Sequence, residues 1–293
     1  MNNNIKQKYL NTKGSVKEKA LSVQDYIFKY KELFDVDVAF RENIAHITDK
    51  LTLKFRPDWF KWEKPWYTDQ YKWKELYEDI FSCKNCELDY LRKNRGKNKV
   101  SGVFFEEVLS KPIMVIQEQP DPVTESSAWN KYNMQFGCPL SFGQSASLFE
   151  DMINYIGLTK NQLYLTTLVK CGFKTKDYDN QEIGEFIRTC RPFFEKQLKL
   201  FKPVVIWTIG VAVFEYILRY LEDNYMNVEK EVLWSFDNKT KYIYHTENII
   251  LVNSSNPYYI MQKEKEYWFL KKEMAMLDLL KILVANFEKK GII

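Results

Sequence analysis

The sequence predicts an α/β protein. The expected architecture is a three-layer α/β/α sandwich around a mostly parallel sheet of four to five strands, with a helical extension at the N-terminus. Three observations carry that expectation. Apolar runs of strand length recur along the chain, beginning with PIMVIQ, which ends at Gln117. Longer segments with helical periodicity separate them, and strands alternating with helices imply a parallel sheet covered on both faces. The first run stops at a polar, Pro-bearing turn, Glu118-Gln119-Pro120-Asp121, as a buried strand does when it delivers a loop. In open α/β sheets, loops at the carboxyl ends of strands are where ligands bind. Glu118 is therefore a candidate functional residue, with a solvated turn residue as the plain alternative.

The composition sets outer bounds. The chain has 293 residues, 45% of them hydrophobic, long enough to bury a full core. Aromatic residues make up 16% and the formal net charge is +4, which permits nucleic-acid binding without demanding it. No apolar run approaches the roughly 20 residues that span a bilayer. Five cysteines without a signal peptide point to a reducing, cytoplasmic setting and to metal rather than disulfides.

In order along the chain, residues 1–80 read as an extension, helical and aromatic-rich, and 81–293 as the main domain. The stretch from Phe55 to Phe81 carries four tryptophans interleaved with lysines. Such a pattern can stack on bases, but the preferred reading is that it covers an apolar surface of the main domain. The run from Arg92 to Lys99 holds five cations in eight residues, including Arg92, Arg95 and Lys97. It suits backbone phosphates and equally an ordinary solvated loop. The pattern predicts a helix over 145–156 with Ser145 as N-cap, then a strand over 163–169. Helices follow over 180–201 and 211–225, on either side of a strand over 204–209. Short strands over 242–245 and 249–252 precede a long closing helix over 262–289. His46 and His245 share no motif and read as structural.

Cys83 and Cys86 form a CxxC pair, and Cys171 and Cys190 stand 19 positions apart. Thiolates in fours hold an iron–sulfur cluster or zinc; unrelated buried thiols remain open at this point.

Taken together, these segments resemble the iron–sulfur uracil-DNA glycosylases of the family 4 type. The resemblance rests on Cys83-Lys84-Asn85-Cys86-Glu87-Leu88, Gln117-Glu118-Gln119-Pro120-Asp121 and the segment from Gly137 to Gly143. It continues through Thr166-Thr167-Leu168-Val169-Lys170-Cys171, Cys190-Arg191-Pro192, the strand from Pro203 to Gly210, and Asn256-Pro257-Tyr258. It spans roughly residues 83–260 in the family's order. It implies a monomeric DNA glycosylase with Cys83, Cys86, Cys171 and Cys190 around one structural [4Fe–4S] cluster, Cys138 being left over. It implies Glu118 as the catalytic carboxylate, with Glu125 near the family's second acidic position, and Asn256 where the family has a base-contacting His. Gln117, Gln119, Asp121, Leu140, Phe142 and Thr167 fall at pocket positions. Tyr258, Tyr259 or Ile260 fall where the family inserts residues into DNA.

The pocket departs from the family. Thr167 stands where an Asn reads both edge groups of uracil, and one hydroxyl cannot make that paired contact. Gln117 and Asp121 replace glycines. The expectation is therefore a glycosylase acting on a bulkier modified pyrimidine, such as a hypermodified cytosine of phage DNA. Ordinary uracil removal is the second reading, and a non-catalytic iron–sulfur DNA-binding protein the third.

Overall fold

The computed structural model describes residues 46–47, 65–89, 113–120, 143–159, 162–173, 175–225, 227–236, 239–263 and 267–289. The basic run at 92–99, the pocket candidates Asp121, Leu140 and Phe142, and also Glu125 and Cys138, lie outside the described residues.

The first described helix, α1 (Pro65–Ser82), buries Trp73, Leu76 and Ile80, spaced to fall on one face. Trp73 meets Tyr164 edge-on at 5.5 Å, so this part of the tryptophan-rich stretch lines the core.

The sheet begins with β1 (Ile113–Gln117) and, after α2 (Gly143–Tyr155), continues with β2 (Tyr164–Thr167). Helix α3 (Asn180–Phe201) leads to β3 (Val205–Ile209), and α4 (Val211–Asn224) follows. The hairpin β4 (Glu229–Phe236) and β5 (Lys239–His245) precedes β6 (Ile250–Ser254). Two helices close the chain, α5 (Pro257–Gln262) and α6 (Tyr267–Lys289); α6 is the helix expected over 262–289, and the short α5 ahead of it was not expected. Helix α2 starts at Gly143, two residues before the expected cap.

The sheet order is β2-β1-β3-β6-β5-β4. The first four strands run parallel and the β4–β5 hairpin is antiparallel. This corrects the expected four to five strands to six. The missing strand was β4, whose EKEVLWSF mixes charges with apolar residues. An edge strand has one neighbour and tolerates charge, and a register shift between Val232 and Trp234 interrupts its alternation.

The three layers follow from two apolar clusters. One face of the sheet, with Ile113, Val115, Trp207 and Val252, packs against α2 and α6. The other, with Met114, Ile116, Ile206 and Leu251, packs against α1, α3 and α4. The parallel strands are buried on both faces, which is why they read as continuous apolar runs. From β1 the chain moves to one side to form β2, then returns past β1 to form β3. That reversal opens a crevice at the carboxyl ends of β1 and β3.

Candidate active site

Four strand ends converge on that crevice. Glu118 follows β1, Thr167 ends β2, Gly210 follows β3, and Ser255 and Asn256 follow β6. The backbone pairing of β1 and β2 runs one step past the strands. Leu168 N–H donates to Gln117 O at 2.9 Å and Val169 N–H to Glu118 O at 2.8 Å. Glu118 and Thr167 are thereby held side by side by main-chain bonds. Glu118 is half-buried, and burial raises its carboxyl pKa above the ordinary value.

Thr167 is buried, and its hydroxyl donates to Val169 O at 2.7 Å. Its side chain is thus turned into its own loop. Gln117 donates through Nε2 to Gln119 O. Gln119 accepts from Phe173 N–H at 2.7 Å and donates to Thr175 Oγ1 at 3.1 Å. Gln119 therefore braces the turn after β1 against the segment after Cys171.

Asn256 is exposed and caps α5, its Oδ1 accepting from Tyr258 N–H at 2.9 Å. With the oxygen engaged, the amide nitrogen is the end left to face a ligand. Tyr258 and Tyr259 are 60% and 45% exposed, while Ile260 is buried. Ile260 therefore sits in the core and not at the surface where a wedge belongs. Val211, at the start of α4, is 59% exposed. Its neighbour Gly210 ties α4 to β6 by donating to Ser254 O at 2.8 Å, with φ at 103°, a value that favours glycine. Of the four exposed large hydrophobic residues among those described, three thus rim the carboxyl end of the sheet, the fourth being Val232.

The cysteines come together from three segments. Cys83 and Cys86 lie just past α1, Cys171 follows β2, and Cys190 is on the buried face of α3. Cys86 and Cys171 pack with Cys190 among Leu88, Val169, Phe173, Ile183 and Phe186. Burial pushes the Cys190 thiol up to about 11, and charge on Cys86 and Cys83 adds to the rise. Lys170 N–H donates to Cys190 Sγ at 3.5 Å. All four cysteines are free of disulfides. No three of their sulfurs lie within 4.8 Å of one another; among the described residues, Glu229, Glu231 and His245 form the group that meets that spacing. That group sits where β5 pairs with the start of β6, at the opposite end of the sheet from Glu118.

Three polar side chains lie deeper, and the sequence reading assigned them no role. Lys170 is fully buried, and its ammonium donates to Thr166 Oγ1 at 3.0 Å, Gln197 Oε1 at 2.6 Å and Thr167 O. Burial lowers its pKa to about 7, with nearby Cys190 opposing. Gln197 also donates to Tyr164 Oη at 2.8 Å. Glu273, on α6, bonds Ser255. The signal for Gln197 and Glu273 was present: each stands on the apolar stripe of its helix, Gln197 between Phe194 and Phe201, Glu273 between Phe269 and Leu277. A polar residue on such a stripe is buried and must find a partner.

Comparison with known proteins places the chain in a family. The model of a family described as the Uracil DNA glycosylase superfamily matches residues 106–279. Over 177 residues the chain is 25% identical to the Type-4 uracil-DNA glycosylase of Sulfurisphaera tokodaii, across 59% of this chain and 71% of that protein.

Proposed function

The chain belongs to the uracil DNA glycosylase superfamily, and from that premise we propose that it releases a modified pyrimidine, such as a hypermodified cytosine of phage DNA, in preference to uracil. Glycosylase action on DNA comes with the family. The choice of base rests on one observation above all. At the position where family members carry the uracil-reading Asn, Thr167 directs its hydroxyl to Val169 O at 2.7 Å. A uracil seated here leaves its edge groups unmet, which costs discrimination of a few kcal/mol. A base carrying an added polar substituent has the space an Asn would fill.

The reaction takes the target base out of the stack and breaks its N-glycosidic bond through a sugar that gains positive charge. Glu118 activates the attacking water and stabilises that charge. Its raised pKa brings this half-buried carboxylate closer to the working pH, as general bases require. Asn256, its oxygen spent on the α5 cap, donates through nitrogen to the departing base, where negative charge collects. Tyr258 and Tyr259 fill the gap in the duplex. Arg92, Arg95 and Lys97 are the candidates for phosphate contact, and the resemblance puts Asp121, Leu140 and Phe142 at pocket positions. The product is DNA with an abasic site.

Cys83, Cys86, Cys171 and Cys190 would hold a [4Fe–4S] cluster. Thiolates 2.3 Å from a single zinc lie about 3.8 Å apart, and these sulfurs are spread more widely than that. A four-iron cluster is broader than one ion. Its apolar surround and the N–H···S bond from Lys170 are features that tune such clusters. When bound, the cluster supplies a cross-link among the segment after α1, the loop after β2 and α3, and takes no part in bond breaking.

The deciding experiment is base release from duplex oligonucleotides carrying uracil, hydroxymethylcytosine or glucosylated hydroxymethylcytosine. A modified cytosine should be released and uracil should be poor. Thr167→Asn should raise uracil release by about 10-fold or more. Efficient uracil excision by the unaltered protein would overturn the proposal in favour of ordinary uracil removal, the reading that the similarity to a Type-4 uracil-DNA glycosylase favours. No release of any base would favour a non-catalytic DNA-binding protein.

A further inference from the structure

Glu273 is 3% exposed, deep on the face of α6 that meets the sheet. A buried carboxylate needs partners, and both of its oxygens use the same residue. Oε2 accepts from Ser255 N–H at 3.0 Å and Oε1 from Ser255 Oγ at 2.9 Å. Lys241 on β5, itself buried, brings its ammonium to 3.7 Å from Oε1. Burial pulls the lysine pKa down, and the charge of Glu273 opposes the fall.

Ser255 is the residue through which the chain leaves β6, and Asn256 comes next. A two-point grip on the Ser255 main chain and side chain fixes the direction in which Asn256 emerges. The grip is closed on the other side. Ser254 O accepts from Gly210 N–H at 2.8 Å, and Ser254 Oγ accepts from Trp207 Nε1 at 2.7 Å. From these contacts we infer that the Glu273–Lys241 pair is a positioning device that sets Asn256 against the departing base. The inference rests on the base contact assigned to Asn256 above. A pair serving stability alone could bond any loop. This one binds the residue adjoining the base-contacting amide, at the carboxyl end of the sheet. Misplacing such a group by an ångström can cost about 100-fold in rate.

The test is a cycle of variants measured by single-turnover release of whichever base the unaltered protein releases fastest. Glu273→Gln keeps size but loses one acceptor, and should slow release about 10-fold. In an Asn256→Ala background the same change should slow release less than about 2-fold, because there is no amide left to misplace. Ser255→Ala keeps the main-chain bond and the ion pair, so it serves if Glu273→Gln folds poorly; it should slow release about 3-fold, again only when Asn256 is present. Hydrogen exchange needs no substrate, and in Glu273→Gln it should speed up at residues 254–258 while β3 keeps its protection. Equal slowing in both backgrounds, or unchanged exchange in that loop, would overturn the inference. If Asn256→Ala alone leaves release unchanged, the base contact of Asn256 fails, and hydrogen exchange then judges the grip by itself.

Discussion

Glu118, the carboxylate proposed above for catalysis, ties stability to pH. Burial raises its pKa, so the folded state prefers the protonated form. The sign follows from linkage: for a carboxyl raised on folding, the favourable contribution is present at low pH and is lost as pH climbs through the folded value. At neutral pH the ionised Glu118 therefore costs stability. Glu118→Gln should raise Tm slightly at neutral pH, and the gain should vanish under acid conditions. Over the same range base release should rise with pH, as the water activation proposed for ionised Glu118 requires, and its acid limb should lie above that of a free glutamate. Glu118→Gln should abolish that limb and cut release by roughly 100-fold or more with DNA binding near normal. Full activity in Glu118→Gln would move the catalytic role to another carboxylate, Asp121 or Glu125 first.

At the scale of the element, α3 is the part on which most depends. It carries Cys190 toward the other cysteines and Gln197 toward Lys170, and it buries Phe194 and Phe201 against the sheet. Its start is specified by a capping box. Asp179 Oδ1 accepts from Gln181 N–H at 2.8 Å and Glu182 N–H at 2.9 Å, and Glu182 accepts from Asp179 N–H at 2.8 Å. The cap accounts for the start at residue 180 and the left-handed Lys202 (φ 50°) for the stop at residue 201, the same bounds that the sequence predicts. Asp179→Ala should lower unfolding free energy by about 1 kcal/mol, read by chemical denaturation, with base release at low temperature little changed. Helix α2, for which Ser145 was the expected cap, instead begins two residues earlier at Gly143.

For the whole molecule, the four cysteines come from segments up to more than a hundred residues apart in sequence, from Cys83 to Cys190. Anaerobically purified protein should be brown, with broad visible absorption and four irons per chain. Removing the iron should lower Tm by roughly 5 °C or more, each kcal/mol being worth about 2–4 °C in a domain of this size. Colourless protein holding one zinc per chain would show that the cysteines serve a different metal.

The sequence by itself determined the alternation of buried strands and helices, because burial on both faces leaves continuous apolar runs that need no tertiary knowledge to read. It also marked Glu118 at the end of the first apolar run, whereas Thr167 and Asn256 were singled out by the resemblance to the family, since the expected strand bounds did not end at either. What only the tertiary structure decided were properties made by neighbours distant in sequence. The sixth strand exists because β5 offers an edge to a segment whose own pattern is ambiguous. The hydroxyl of Thr167 turns to Val169 because β1 and β2 stay paired past their ends. Gln119 reaches Phe173 and Thr175 across more than fifty residues, and Glu273 reaches back eighteen to Ser255. A residue's type is local and limits what it can bond. Its partner is chosen by the packing of elements that the chain brings together only on folding.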